Sequence, residues 1–415
     1  MLLSIIICVY NTKPDYLAEA LKSIFSSSLE NFETIIVDDG SDLDYSDLIS
    51  EYPIKYTKTK NNGLLDARLN GIAISSGDYI CFVDSDDAVS KNYHKPMLDL
   101  AIKENCDIVI NDWAFLSQSL THYCLSDTTI SEDINLSGEN ALLFYTSQKG
   151  REQSYFVQWN KIFKRSLILK TAEEIKRLSI SEKHITYAED AIMNFFNFKN
   201  AERIRNIHTG FYFYRIHSNQ SVFAGTEKRL LDQINSMSLC FDVMRENIPS
   251  NSPHSSLILE NIQEWQALMS RSHYAASKSL SLNIDALLCE KYHVKDLSYP
   301  KKSDGSAYSK TEIIGSNFDE IDSKLTELYF NENASALAEK SCKYVNRFIK
   351  SIEALRSGIG GTQKIQIPKN KVGFLNRTVY NPTFYGFKVK ISKLKNKLFP
   401  KHRKDVKNDK KISGK

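Results

Sequence analysis

Long hydrophobic runs are missing from this 415-residue sequence, and without a stretch of about 18 apolar residues no membrane-spanning helix is expected. The seven cysteines are scattered, odd in number and free of any CxxC pair, which excludes a disulfide framework and a thiolate zinc site. Cys8 and Cys81 sit inside apolar runs and read as small buried hydrophobes. A reducing, cytoplasmic compartment is therefore expected. The stretch Met1 to Val9 is apolar but short, and lacks a basic flank and a small-residue cleavage site, so it reads as a strand rather than a leader. No internal repeat stands out, and neither helix-turn-helix, zinc nor RNA-recognition signatures occur, so no nucleic-acid partner is expected.

What is present is an ordinary globular composition, 42% hydrophobic and 25% charged, with an uneven charge. Between Lys388 and Lys415 there are twelve Lys or Arg against two Asp, which leaves the rest of the chain at net −6. A mildly acidic body thus carries a strongly basic tail. In that tail Phe387, Val389, Ile391, Leu394, Leu398 and Phe399 alternate with lysines. Two readings stand: peripheral contact with an anionic membrane through residues 388–415, or a solvated terminus.

The first 110 residues alternate between strand and helix patterns. Apolar runs at Leu2–Tyr10, Phe32–Val37, Ile54–Thr57, Tyr79–Val83 and Asp107–Ile110 predict strands. Helical spacing at Asp15–Phe25, Leu64–Ser75 and Met97–Lys103 fills the gaps. Near-continuous apolar strands separated by helices predict an α/β fold with a mostly parallel central sheet covered on both faces. Ligands bind beyond the carboxyl ends of such strands. Three of these strands end in polar residues: Asn11, the pair Asp38-Asp39, and the cluster Asp84-Ser85-Asp86-Asp87.

Asp-x-Asp after a buried strand offers two carboxylates, suited to a hard divalent cation that offsets a diphosphate. The plainer reading is a solvated acidic loop in which Asp87 caps the next helix. The Asp38-Asp39 pair at a second strand end favours the first.

Taken in order, Ser4–Asn11, Ile35-Ile36-Val37-Asp38-Asp39-Gly40-Ser41, Asn61-Asn62-Gly63, Ala67-Arg68-Leu69-Asn70-Gly71, Gly77-Asp78-Tyr79-Ile80 and Asp84-Ser85-Asp86-Asp87 resemble the nucleotide-sugar-binding half of family-2 glycosyltransferases. Those enzymes share the Rossmann-like GT-A fold. The resemblance covers about residues 1–225 and implies roles for named residues. Val9, Tyr10 and Asn11 would line the nucleotide pocket, with Asp39 on the base or ribose and Asp38 beside it. Arg68 would approach the donor phosphates or sugar. Asp84 would contact ribose, donor sugar or the metal shell, with Ser85 beside it. Asp86 would ligate Mn²⁺ or Mg²⁺.

Trp159-Asn160-Lys161 and Tyr187-Ala188-Glu189-Asp190 resemble acceptor-side elements of the same family. An acceptor hydroxyl must shed its proton as it attacks the anomeric carbon. Asp190 is the expected base and Glu189 its helper, although both also suit a helix N-terminus. Trp159 either stacks on an acceptor sugar or fills the core. His217 completes the metal site, binds pyrophosphate, or is structural. No tryptophan follows an arginine, so the Gln-x-x-Arg-Trp motif of processive polymerases is absent.

The expected organisation is a GT-A domain over 1–225, a mostly helical region over 226–360 for acceptor binding or homo-oligomer formation, and a linker with basic tail over 361–415. The expected function is inverting, metal-dependent transfer from a nucleotide diphosphate sugar, UDP-linked, to a surface polysaccharide or lipid-linked oligosaccharide. The rival reading is a catalytically inactive sugar-nucleotide or glycan binding module.

Overall fold

A computed structural model describes residues 2–116, 123–125, 134–148, 153–180, 183, 185–215, 217 and 226–294. The expected linker and basic tail (361–415) and the second half of the helical region (295–360) lie outside these residues. Among the described residues no helix is long and apolar enough to cross a membrane.

The N-terminal part alternates β1 (Leu3–Val9), α1 (Pro14–Phe25), β2 (Phe32–Asp38), α2 (Ser46–Ser50), β3 (Ile54–Lys58), α3 (Leu64–Ile74) and β4 (Tyr79–Phe82). A short β5 (Ala88–Val89), α4 (His94–Glu104), β6 (Ile108–Ile110), β7 (Trp113–Leu116), β8 (Tyr123–Leu125) and β9 (Asn135–Ser137) follow. Next come α5 (Glu139–Ser147), α6 (Gln153–Phe156), β10 (Lys161–Lys164), α7 (Arg165–Arg177), α8 (Glu189–Asn200), β11 (Arg203–Asn206) and β12 (Tyr212–Arg215). Three helices close the described chain: α9 (Glu227–Glu246), α10 (Ser255–Ser279) and α11 (Asp285–Tyr292).

The main sheet has eight strands in the order β3-β2-β1-β4-β10-β6-β11-β9. β1 lies at its heart, parallel to β2 and β4, and every residue from Leu3 to Ile7 is buried, as its unbroken apolar run requires. β10 is antiparallel to both β4 and β6, so β6 points the same way as β4. This insertion carries no local signature, because Lys161–Lys164 is short and follows no βα unit. A second sheet, β5-β12-β7-β8, stands beside the acidic loop after β4. It too was not foreseen: its strands are two to four residues long.

Helix starts follow local chemistry. Pro14 opens α1, where a missing N–H costs nothing, and the Thr226 hydroxyl caps α9 by accepting from the Arg229 amide. α10 buries a helical stripe of Ile258, Asn261, Ile262, Trp265 and Met269, while Leu257 stays exposed. One hydrophobic core runs from β1 through Phe195 and Phe196 of α8 to Ile234, Phe241 and Trp265 of α9 and α10. The helices after residue 226 therefore share their core with the sheet.

Two buried histidines make stability depend on pH. Burial holds His94 and His273 down at about 3, so both stay neutral in the fold and take up protons first in the unfolded chain. Their contribution is intact above the ordinary histidine range near 6.5 and is lost as pH falls toward 3. Neither ring nitrogen of His94 has a hydrogen-bond partner, so leucine should fit there. His94→Leu is expected to gain about 1.4 kcal/mol over wild type for each pH unit below 6.5. Urea denaturation from pH 7.5 to 4.5 measures it, and a pH-independent difference would refute the assignment.

Candidate active site

The polar strand ends converge at the carboxyl edge of β1, β2 and β4, where the loops do most of their bonding to one another. After β1, Asn11 takes a left-handed φ of 50°. Its amide donates to Ser41 Oγ at 2.9 Å, and its side-chain Oδ1 accepts from the Asp42 amide at 2.8 Å. Asn11 thus stitches the β1 loop to the β2 loop. Val9 is buried, and its carbonyl accepts from the Asp39 amide at 2.9 Å. Tyr10 is 52% exposed, the most open of the large hydrophobic side chains here.

The two aspartates after β2 divide their work. Asp38 is fully buried; one oxygen accepts from the Ser41 amide at 2.7 Å and the other from the Tyr56 hydroxyl at 2.8 Å. Burial raises its pKa, but these bonds and Lys58 outweigh it and hold the carboxyl below its usual range. Asp38 therefore shapes the turn, and no face of it reaches solvent. Asp39 receives the amides of Asn62 and Gly63 at 2.9 Å each, which fixes the loop into α3. Gly40 between them and Ser41 has φ 81°, and a Cβ there would lie 2.8 Å from the Asn61 amide nitrogen. Only glycine meets both demands.

Arg68, on α3, is 1% exposed. Its guanidinium lies beneath three carboxylates. Nη1 reaches Glu189 Oε1 at 3.1 Å and forms a short contact with Asp190 Oδ1, while Nη2 lies 3.4 Å from Asp84 Oδ1. Burial pulls its pKa down, but Asp190, Glu189 and Asp84 together outweigh that and raise it, so it stays charged. Burial pushes Asp84 up to about 7 against the pull of Arg68, with Asp86 and Asp190 adding to the rise. Burial and then the charge of Asp190 push Glu189 to about 7 as well.

The acidic loop is clamped from three sides. Ser85 Oγ and Thr12 Oγ1 are 2.7 Å apart, tying the loop to the chain after β1. Asp87 does not cap a helix as the sequence suggested. It is wholly buried and accepts from the Tyr212 hydroxyl and the Arg215 amide at 2.7 Å each. The Tyr212 hydroxyl in turn accepts from the Asp84 amide at 2.9 Å. Arg215 Nε donates to the Asp86 carbonyl at 2.6 Å, and its other end pairs with Glu19 of α1 at 2.5 Å. His217 Nε2 stands 2.7 Å from Asp86 Oδ2. Tyr212, Arg215 and Glu19 went unassigned in the sequence; the one signal was the aromatic strand Phe211–Tyr214 with its charged end.

Glu189 and Asp190 occupy the first turn of α8. The Asp190 carbonyl accepts from Gln158 Nε2 at 3.2 Å, and the Ala191 carbonyl from the Tyr145 hydroxyl at 3.0 Å. Asp190 offers Oδ1 to Arg68, and its side chain retains 13% exposure. Trp159 sits apart from these open groups. It is 2% exposed, stacked on Tyr212 at 4.2 Å and on Tyr214 at 5.6 Å, with Trp113 edge-on at 5.4 Å. Of the two readings of Trp159, this burial favours the core: the indole supports Tyr212 from within.

Residues 4–169 match the family model described as glycosyl transferase family 2. The putative glycosyltransferase EpsH of Bacillus subtilis (strain 168) is 30% identical over 236 residues, covering 55% of this chain and 64% of that protein. Glycosyltransferase GlyA of Streptococcus pneumoniae serotype 4 is 25% identical over 246 residues, covering 57% of this chain and 34% of the relative. The chain thus spans about two thirds or less of these relatives' lengths. Among solved structures, S. aureus TarS 1–349 superposes with a TM-score of 0.52 at 18% identity, covering 86% of this chain and 92% of that one. The same protein in complex with UDP-GlcNAc gives 0.52 at 19%. At such identities the likeness shows the fold, which is GT-A.

Proposed function

We propose that this protein is an inverting glycosyltransferase of family 2, a reading supported by the match of residues 4–169 to the family model. It moves a sugar from a UDP-linked donor to an acceptor hydroxyl of a surface polysaccharide or lipid-linked oligosaccharide. One observation carries the reading: Arg68 gathers Asp84, from the donor-side loop, and Glu189 and Asp190, from α8, around a single guanidinium. A carboxylate that can take a proton is thereby set beside the loop where a diphosphate would leave. The structural likeness to TarS, a protein described with bound UDP and UDP-GlcNAc, supports the uridine nucleotide.

Asp190 acts as the base. Its Oδ1 is held by Arg68, which leaves Oδ2 to accept the acceptor's proton as the oxygen attacks the anomeric carbon. Attack from the face opposite the diphosphate inverts that carbon. Glu189 and Arg68 hold Asp190 in place, and Tyr10 and Asn11 border the nucleotide.

The donor set at the acidic loop suits a hard divalent cation. Asp86 Oδ2 and His217 Nε2 are in direct contact at 2.7 Å, and would have to part to share a cation. Asp84, Asp86, Asp87, Glu189 and Asp190 crowd the space around Arg68 and Arg215, and burial together with that crowding raises Asp84, Asp87 and Glu189, so added positive charge would suit both the carboxylates and an anionic diphosphate. Mn²⁺ or Mg²⁺ held by Asp86, with His217 and Asp84, would offset the charge that develops on the leaving diphosphate. Among the described residues no three His, Cys, Asp or Glu side chains are grouped so as to hold a metal ion, so the cation reading rests on Asp86 first and on the donor's own oxygens.

Calorimetry with a panel of UDP-sugars, with Mn²⁺, with Mg²⁺ and with chelator, tests the proposal. Metal-dependent binding of one donor is expected, weakened at least about tenfold in Asp86→Ala by loss of one ligand. Binding without slow donor hydrolysis or transfer would favour the inactive binding module; no binding at all would overturn both.

A further inference from the structure

The segment that leads into Glu189 and Asp190 is held by the helical region, and by a strained residue. Ala188, immediately before the acid pair, has φ 65° and ψ 18°, a left-handed conformation that an L-residue with a Cβ keeps only when its surroundings impose it. Its carbonyl begins α8 by accepting from the Ala191 amide at 3.0 Å.

The same carbonyl accepts from Cys240 Sγ of α9 at 3.4 Å. One turn earlier on α9, Ser236 Oγ accepts from the Thr186 amide at 3.3 Å and lies 3.4 Å from the Thr186 hydroxyl. Both α9 side chains are at least nine-tenths buried. Burial raises the Cys240 pKa well above its ordinary value, so the thiol keeps the proton it donates. α9 is itself fixed from behind, where the Ser238 hydroxyl donates to the Lys291 carbonyl of α11 at 2.7 Å.

We propose that α9 is part of the catalytic apparatus, with Cys240 and Ser236 as positioning residues that hold the 186–190 backbone and so aim Asp190 at the acceptor hydroxyl. The consequence rests on the transferase reading above; the bracing itself does not. Acid and base groups tolerate little displacement, and a shift of about 1 Å is enough to cost up to 10²-fold in rate. The helical region is then needed for turnover, not only for holding an acceptor or forming an oligomer.

The test uses the full chain carrying Cys240→Ala with Ser236→Ala, and separately Cys240→Ser, which keeps a donor in the same place. Amide hydrogen exchange over residues 186–191 should quicken about tenfold in the double variant, the size of a lost hydrogen bond, with exchange in β1 unchanged. Turnover of a UDP-sugar should fall about tenfold in kcat with affinity for UDP within about twofold, and Cys240→Ser should recover most of it. Unchanged exchange over 186–191 would overturn the bracing, whatever the turnover. Exchange that quickens while kcat holds, or exchange that quickens throughout the chain with UDP affinity falling in step, would also overturn the positioning role. If exchange quickens locally but wild type turns over no UDP-sugar, the bracing stands and the transferase reading falls.

Discussion

Asp190→Asn should abolish nearly all sugar transfer, lowering kcat by about 10²–10⁴-fold while UDP affinity stays within about twofold. The substitution keeps the shape and an oxygen for Arg68 to hold, but it removes the group that accepts a proton. Glu189→Gln should cost far less, because Glu189 meets Arg68 at 3.1 Å as a neighbour in the same ion cluster. Donor affinity is the control: under the proposed function the nucleotide would sit against the β1 and β2 loops, whose bonds through Asn11, Ser41 and Asp39 do not involve α8. Steady-state rates with the donor found by calorimetry, set beside binding constants for UDP, separate the two effects. Near wild-type turnover in Asp190→Asn with a collapse in Glu189→Gln would exchange the two roles. Loss of UDP binding in both would mean that the acid pair serves the donor instead.

Arg68→Met should have the largest effect on the fold itself. Arg68 is 1% exposed and is the cation shared by Asp84, Glu189 and Asp190. Deleting one partner of a buried ion cluster leaves charge stranded, at a cost of about 3–5 kcal/mol. The pH dependence identifies the cause. Asp84 and Glu189 already sit near 7 in the folded protein because of burial, above the ordinary carboxylate range. Groups raised in this way weaken the fold when ionised at high pH, and the penalty is relieved as pH falls through the folded pKa toward the unfolded one. Removing Arg68 raises both groups further, so the deficit of Arg68→Met should be greatest at pH 8 and shrink by pH 5. Arg68→Lys should rescue only part, since an ammonium lacks the planar fork that meets carboxylates on two sides. Urea denaturation of the three proteins at both pH values provides the measurement. A deficit that does not change with pH would mean Arg68 contributes packing alone, for example through its stacking on Phe82 at 5.6 Å.

Much of the donor half was legible in the residues, for a local reason. Each of β1, β2 and β4 is a continuous apolar run that ends in a polar cluster, and parallel strands buried on both faces place such ends along one edge. Asp39, Asp84 and Asp86 could be found that way because their position is set by the strand that precedes them. Glu189 and Asp190 came from the family resemblance, and as acids they also suit the first turn of α8 in which they lie. The distinction between Asp38 and Asp39 was not legible. Neighbours on a strand end point to opposite sides, and only the Tyr56 hydroxyl and the Ser41 amide show that Asp38 turns inward.

What the sequence by itself determined, then, is the alternation of strands and helices, the edge where the polar strand ends gather, and which carboxylates stand on it. The tertiary structure alone decided how those carboxylates are used. Arg68 meets Asp190 across 122 positions of sequence, Arg215 meets Glu19 across 196, and Cys240 reaches Ala188 across 52. No periodicity encodes such pairs, because burying a charge or straining a backbone is tolerable only where a distant partner compensates it. Trp159 makes the same point in reverse: its residue type suits a sugar platform, and only the stack on Tyr212 shows that the core had already claimed it.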